Sequence, residues 1–376
     1  MTMEALFWLS IFGVLYPYFG YPLVLTLLAR IVRRKPAPRE ARVLPSVTMI
    51  VPVHNEASRV GRKVANTAAL VYPADRLQVL FISDGSTDRT VEIIREAVTP
   101  AMTIVELPAR GGKAAALNAG LAHATNDIIV FSDASIELEP LSLQRIVAGF
   151  DDPAVGCISG EDRIADTGGE GLYGRYELLL RRLESDVHSI VGASGSFYAQ
   201  RRAICEPFVE GMAPDFLSVL RTVERGYRAV SDSTAVGTMT SVKDPRHEFE
   251  RKVRTLIRGM TTLFAHTHLL NPFRYGLFAF AVFSHKVMRW IAPFFLLTAF
   301  LAPLALLDSP LYLAAFGAQL ALYLGALVAL FEWGRFHRSV IGKVALYFST
   351  VNAAVLTAWL QYGRGVRQEL WTPSRR

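Results

Sequence analysis

What this sequence lacks narrows its reading first. The fingerprints GxGxxG and GxxxxGK[ST] are both missing, so neither a dinucleotide-binding nor a phosphate-loop mechanism is supported. No internal repeat, heptad run or low-complexity tract appears in its 376 residues. The net charge of +7 is not laid out as a basic stripe interleaved with aromatics, so nucleic acid is not an expected partner. Cysteine occurs only at Cys157 and Cys205. Charge itself is missing from four long stretches: residues 5–29, 291–307, 310–331 and 344–363.

Those uncharged runs account for a mean hydropathy of +0.28, high for a soluble protein. A span of about 20 apolar residues crosses a hydrocarbon core of about 30 Å, so the first run suffices and the second is near the lower limit. The first run has no basic n-region and no small-residue cleavage site, and "RIVRRK" follows it as a stop signal would. Basic clusters flank the runs, "RIVRRKPAPREAR" after the first, "SHKVMRW" before the second and "RFHRSVIGK" after the third. The positive-inside rule then puts the N-terminus outside and the stretch from about residue 31 to 276 in the cytoplasm. Both cysteines fall in that reducing compartment and read as core thiols. With three spans after this stretch, the arginine-rich tail "RGVRQELWTPSRR" ends outside, against the same rule.

Between the membrane parts, strand and helix signals alternate. "VTMIVPVHNEA", "LQVLFISDG", "MTIVELP" and "DIIVFSDAS" read as four strands. "STDRTVEIIREAV" and "GGKAAALNAGLAHA" read as helices. The pattern predicts an α/β fold with a largely parallel sheet, whose ligand site lies beyond the carboxyl ends of the strands. "HNE", "SDGSTD" and "SDAS" all fall at such ends.

Taken in order, "VPVHNEA", "SDGSTDRT", "GGKAAALNAGL", "FSDAS", "GASGSFYAQRR" and "PDFLSVLRTVERGYR", followed by spans, resemble the membrane-bound family 2 glycosyltransferases with a GT-A fold. The resemblance covers residues of about 45 to 290. It implies a mainly parallel sheet flanked by helices, with transmembrane helices at both ends. Asp133-Ala134-Ser135 stands where the family writes Asp-x-Asp, so Asp133 would hold Mg²⁺ or Mn²⁺ against the donor diphosphate, with Ser135 a weaker or water-mediated contact. Glu56 and Asp84 match carboxylates that bind the base and ribose, and Lys113 would face phosphate or the base. Asp215 is the candidate general base for an inverting transfer. Gly192, Ala193, Ser194 and Gly195 match the acceptor floor, and Arg254, with Arg251 or Arg258, would meet the diphosphate.

Processive members carry Gln-x-x-Arg-Trp, and the corresponding "EFERKVRTLIRGM" has no tryptophan. All five, Trp8, Trp290, Trp333, Trp359 and Trp371, lie in or beside the membrane part, leaving Tyr173, Tyr176, Phe197 and Tyr198 as partial substitutes. The expected organisation is a transmembrane helix (1–30), a linker (31–44), a catalytic domain (45–270), an interfacial helix (271–290), further transmembrane helices (291–363) and a tail (364–376). His285 is expected at the interface rather than on a ligand. The resemblance implies a nucleotide-sugar donor, with a UDP-sugar expected, and a lipid-linked or polysaccharide acceptor at a bacterial inner membrane. Two alternatives stand beside it: a processive synthase of a β-linked polymer, and a catalytically silent sugar-nucleotide-binding subunit among other polysaccharide-assembly subunits.

Overall fold

β-Branched runs bounded by turn residues become eight strands of one sheet among the described residues. These are β1 (Val47–Val53), β2 (Leu77–Ser83), β3 (Met102–Glu106), β4 (Ile128–Ser132), β5 (Glu137–Leu138), β6 (Val155–Ile164), β7 (Phe197–Arg201) and β8 (Arg228–Met239). The computed structural model describes residues 2–32, 43–164, 169–239, 245–334 and 336–367, so most of the expected linker and tail lie outside it. The spatial order is β3-β2-β1-β4-β7-β6-β8-β5. The four strands expected from sequence are β1 to β4, and they pair in parallel. β7 then runs antiparallel to both β4 and β6. β4 is therefore the strand at which the sheet changes sense, a place where open α/β sheets leave a crevice.

Alternation along the strands separates two cores. Ile50, Leu80, Ile82, Ile129 and Phe131 face one side, while Met49, Val51, Val79, Phe81 and Val130 face the other. Flanking helices are α1 (Met3–Val32), α2 (Val60–Ala68), α3 (Thr90–Ala97), α4 (Gly112–His123), α5 (Ser142–Ala148), α6 (Gly169–Val187), α7 (Pro214–Glu224) and α8 (Pro245–Ala265). Three more follow: α9 (Pro272–Ala305), α10 (Pro310–Leu330) and α11 (Val340–Gly363). α4 closes directly onto β1 at Gly120, where a Cβ would stand 2.5 Å from Ile50 Cγ2.

Among the described residues, α1, α9, α10 and α11 are long and apolar enough to cross a membrane. The segments expected as an interfacial helix and a separate span run together as α9, bent at Gly276 (φ 50°) and loosened into a π turn at Phe283–Val287. The first core does not stop at the sheet. It takes in Tyr21 and Leu25 of α1, Phe278, Val282 and Trp290 of α9, and Ala354, Val355 and Ala358 of α11. Apolar burial thus ties the α/β domain to these helices as one packed body.

Candidate active site

Asp133 leaves the sheet just past β4, its N–H still donating to Ser196 O at 2.9 Å. Lys113, in the first turn of α4, donates to Asp133 Oδ1 at 2.6 Å and to Gly195 O at 3.3 Å. Asp133 Oδ2 has no hydrogen-bond partner among the described residues. Asp215 also stands beside Gly195, its Cγ 3.8 Å from where a Gly195 Cβ would lie. Pro214 opens α7 at its first turn, placing Asp215 there, and Ala213 just before it is fixed by an N–H bond to Thr262 Oγ1 of α8 at 2.9 Å.

Lys113, Asp133, Gly192, Ala193, Gly195, Asp215 and Arg254 line one cavity of about 540 Å³. Arg258 and Arg251 share its wall. Glu56, Asp84, Ser135 and Ser194 stand outside this lining. Asp84 is fully buried and spends its carboxylate on the loop before α4, accepting from Gly111 N at 2.7 Å and from Gly112 N at 2.9 Å. Gly112 itself has φ +90°, and a Cβ there would come within 2.9 Å of Glu210 Oε1. Ser194 is buried, donates to Asp162 Oδ1 at 2.5 Å and accepts from Phe197 N at 3.0 Å, so it shapes the loop that carries Gly195. Ser135 is half-buried in the turn after β4.

Burial perturbs two groups near Asp133. Burial lifts the Glu56 carboxyl to about 7, with Arg59 at 2.8 Å opposing it and the charges of Asp133 and Asp88 adding to it. Lys63 is fully buried and donates to Ser132 Oγ and Ile136 O, both at 2.8 Å. Burial pulls its ammonium down to about 7, against the upward pull of Asp133 and Glu137.

Sequence reasoning missed Lys63, Glu210, Tyr347 and the groups that tie α9 to the domain. Glu184, buried in α6, accepts from Tyr21 OH at 2.8 Å and pairs with His285 Nδ1 at 2.6 Å. Glu177 pairs with His285 Nε2 at 3.1 Å and with Arg289 Nη1 at 2.5 Å. His285, expected at the membrane interface, is instead buried between α6 and α9 against these two glutamates, and it also borders the cavity. Only charges interrupting an apolar helix could have signalled this. Of the four aromatics expected to replace a tryptophan platform, Phe197 and Tyr198 are fully in the core, Tyr198 stacked on Phe131 at 4.6 Å. Tyr176 packs under Arg289, its ring centroid 5.5 Å from the guanidinium. Tyr173 reaches the cavity, beside Tyr347 at 5.6 Å between ring centroids.

Among the described residues no group of three or more His, Cys, Asp and Glu side chains could hold a metal. One carboxylate with a free oxygen does fit a Mg²⁺-type ion, which is held in nucleotide sites by one or two carboxylates plus substrate phosphates and water. Lys113 competes for that same carboxylate.

A mainly parallel sheet that turns antiparallel after β4, with a carboxylate at the turning point and a second beside the nearby Gly195, is a GT-A arrangement. Residues 48–206 match the family model described as Glycosyl transferase family 2, and they form a family 2 glycosyltransferase domain. A 127-residue segment is 33% identical to a probable glycosyltransferase, YdaM, of Bacillus subtilis, covering 32% of this chain and 30% of that protein. Over 126 residues the chain is 34% identical to a beta-monoglucosyldiacylglycerol synthase of Synechocystis sp., covering 32% of this chain and 26% of that protein. The matched segment thus spans about a third or less of these relatives' length. The likeness to a solved mannosyltransferase, PcManGT of Pyrobaculum calidifontis with GDP-Man and Mn²⁺, is longer: 26% identity over 95% of this chain and 98% of that one, TM-score 0.72.

Proposed function

We propose that this protein is a membrane-embedded, inverting glycosyltransferase that moves a sugar from a nucleoside-diphosphate sugar to a membrane-held acceptor. One observation carries the reading: Asp133 with Lys113, and Asp215, line one cavity and meet at Gly195. The first pair suits a diphosphate. The second carboxylate suits an acceptor hydroxyl, whose proton it takes as the oxygen attacks the anomeric carbon and the bond to the diphosphate breaks. Lys113 and the arginines on the wall counter the charge that grows on the leaving group. A divalent cation held by Asp133 and the phosphates would neutralise more of it. The buried Lys63 holds Ser132 and the turn that aims Asp133.

A UDP-sugar was the donor expected from sequence, and the likeness to the GDP-Man-bound mannosyltransferase supports GDP-mannose beside it. Addition of one or a few sugars is favoured over a long polymer, because the described residues lining the cavity include Tyr173 and Tyr347 but no tryptophan. The catalytic domain faces the cytoplasm in this reading, following the basic flanks of the spans. The silent-subunit alternative is disfavoured by the free Oδ2 of Asp133 and the placement of Asp215.

Release of nucleoside diphosphate by lipid-reconstituted protein, measured across UDP- and GDP-sugars with Mn²⁺, Mg²⁺ or chelator, tests this directly. Metal-stimulated release from one donor, lost in Asp215→Asn, is the expected result. Silence with every donor, membrane lipid extract included, would overturn it, and a ladder of long products would favour the polymerase.

A further inference from the structure

Four groups on α9 can carry positive charge: Arg274, His285, Lys286 and Arg289. His285 and Arg289 are met by Glu177 and Glu184. Arg274 lies over the Tyr275 ring at 5.3 Å. Lys286 is different. Among the described residues it makes no hydrogen bond or ion pair, and its contact is the ring of Phe216, 5.4 Å from Nζ to the centroid.

Its Nζ projects into the cavity over Gly192, 3.6 Å from where a Cβ would stand. Lys113 and Asp133 meet the cavity at Gly195, so Lys286 lies on the Gly192 and Phe216 side, the acceptor side in the reading above. From there the lining continues through Leu256, Val351 and Ala354, an apolar wall made by α8 and α11. A partly desolvated ammonium that feels the carboxylates of Glu177, Asp215 and Glu184 only at a distance, with none bonded to it, gains from an anionic ligand in direct contact.

We propose that Lys286 binds a phosphate group on the acceptor, next to the hydroxyl that Asp215 deprotonates, and that the acceptor's hydrocarbon chain runs along the wall formed by Leu256, Val351 and Ala354. The acceptor class is thus a phosphate-bearing lipid. The proposal deepens the transferase reading and rests on its assignment of the acceptor side.

Calorimetric binding to the purified full chain in detergent tests it without turnover, using dodecyl phosphate, dodecanol and inorganic phosphate with wild type, Lys286→Ala and Lys286→Arg. A charge-assisted contact implies about tenfold tighter binding of dodecyl phosphate than of dodecanol. That preference is expected to vanish in Lys286→Ala and to persist in Lys286→Arg, with unchanged thermal midpoints. Equal binding of the two amphiphiles by wild type, or a preference that survives Lys286→Ala, overturns the proposal. Inorganic phosphate binding as tightly as dodecyl phosphate, with the same dependence on Lys286, overturns the lipid assignment. Failure of sugar transfer alone counts against the transferase reading and leaves this binding result standing.

Discussion

Lys113 Nζ lies 2.6 Å from Asp133 Oδ1, which locks the first turn of α4 to the end of β4 and sets a fixed cation on the carboxylate that would share a metal. Lys113 and a divalent ion therefore compete for Asp133, while both favour a diphosphate. In Lys113→Met, Mn²⁺ binding without nucleotide is expected to tighten several-fold, and nucleoside-diphosphate binding to weaken by about tenfold, the scale of a lost charge-assisted contact. Paramagnetic titration of Mn²⁺ and calorimetry of the nucleotide read the two effects separately. Metal affinity that stays the same would show that Lys113 and the ion do not compete for this carboxylate.

Asp215 makes a different kind of prediction because it stands beside Gly195 in the cavity wall as the proposed acceptor-side base. Asp215→Asn keeps the shape of the first turn of α7 and removes the proton acceptor. Turnover is expected to fall by about 10²- to 10⁴-fold with donor affinity unchanged. A loss of donor binding of similar size would place Asp215 on the donor side and sink its assignment as base.

How much of this was legible from residues varies with range. β1 to β4 were readable because buried parallel strands are short apolar runs, and the polar clusters at their ends fell where a sheet displays ligands. Asp133 and Asp215 could be singled out, but not their meeting at Gly195, which depends on β7 pairing antiparallel with β4. Asp84 looked like a ligand-facing carboxylate, yet its oxygens serve two backbone N–H groups about 27 residues further on, and local sequence carries no sign of that choice. The burial of Lys63 was equally hidden. Nothing in "GRKVAN" distinguishes a lysine that caps a turn in another segment from one in water. The π turn and bend in α9 also escaped, since its basic residues read as a membrane edge when they are the helix's partners for α6.

Gly112 holds a backbone conformation that L side chains rarely adopt, at φ +90°, and faces Glu210 closely. Gly112→Ala is expected to cost about 1–3 kcal/mol of stability from strain alone. The same change displaces the N–H groups that Asp84 accepts, so Lys113, one residue on, loses its aim at Asp133. Thermal unfolding and donor binding should therefore fall together. A lowered midpoint with intact donor affinity would separate the loop's fold from its function.

Glu56 offers a test in which pH is the variable. Burial lifts its folded-state value to about 7 from an ordinary 4.5. Between those limits the folded chain keeps a proton that the unfolded chain has released, so this group's contribution to stability is complete below about 4.5 and is lost as pH rises through about 7. Lys63 acts in the neighbouring window with the opposite sign. Its folded value of about 7 lies below the ordinary 10.5, so the folded chain has released a proton that the unfolded chain retains, and stability rises with pH above about 7. The two windows meet without overlapping, which makes the carboxyl separable. In detergent-solubilised protein, the midpoint difference between wild type and Glu56→Gln should decline as pH climbs from about 4.5 to about 7 and change little above it. A difference that is flat across the lower window would mean that Glu56 is ionised in the folded protein, held by Arg59 at 2.8 Å more strongly than burial opposes it.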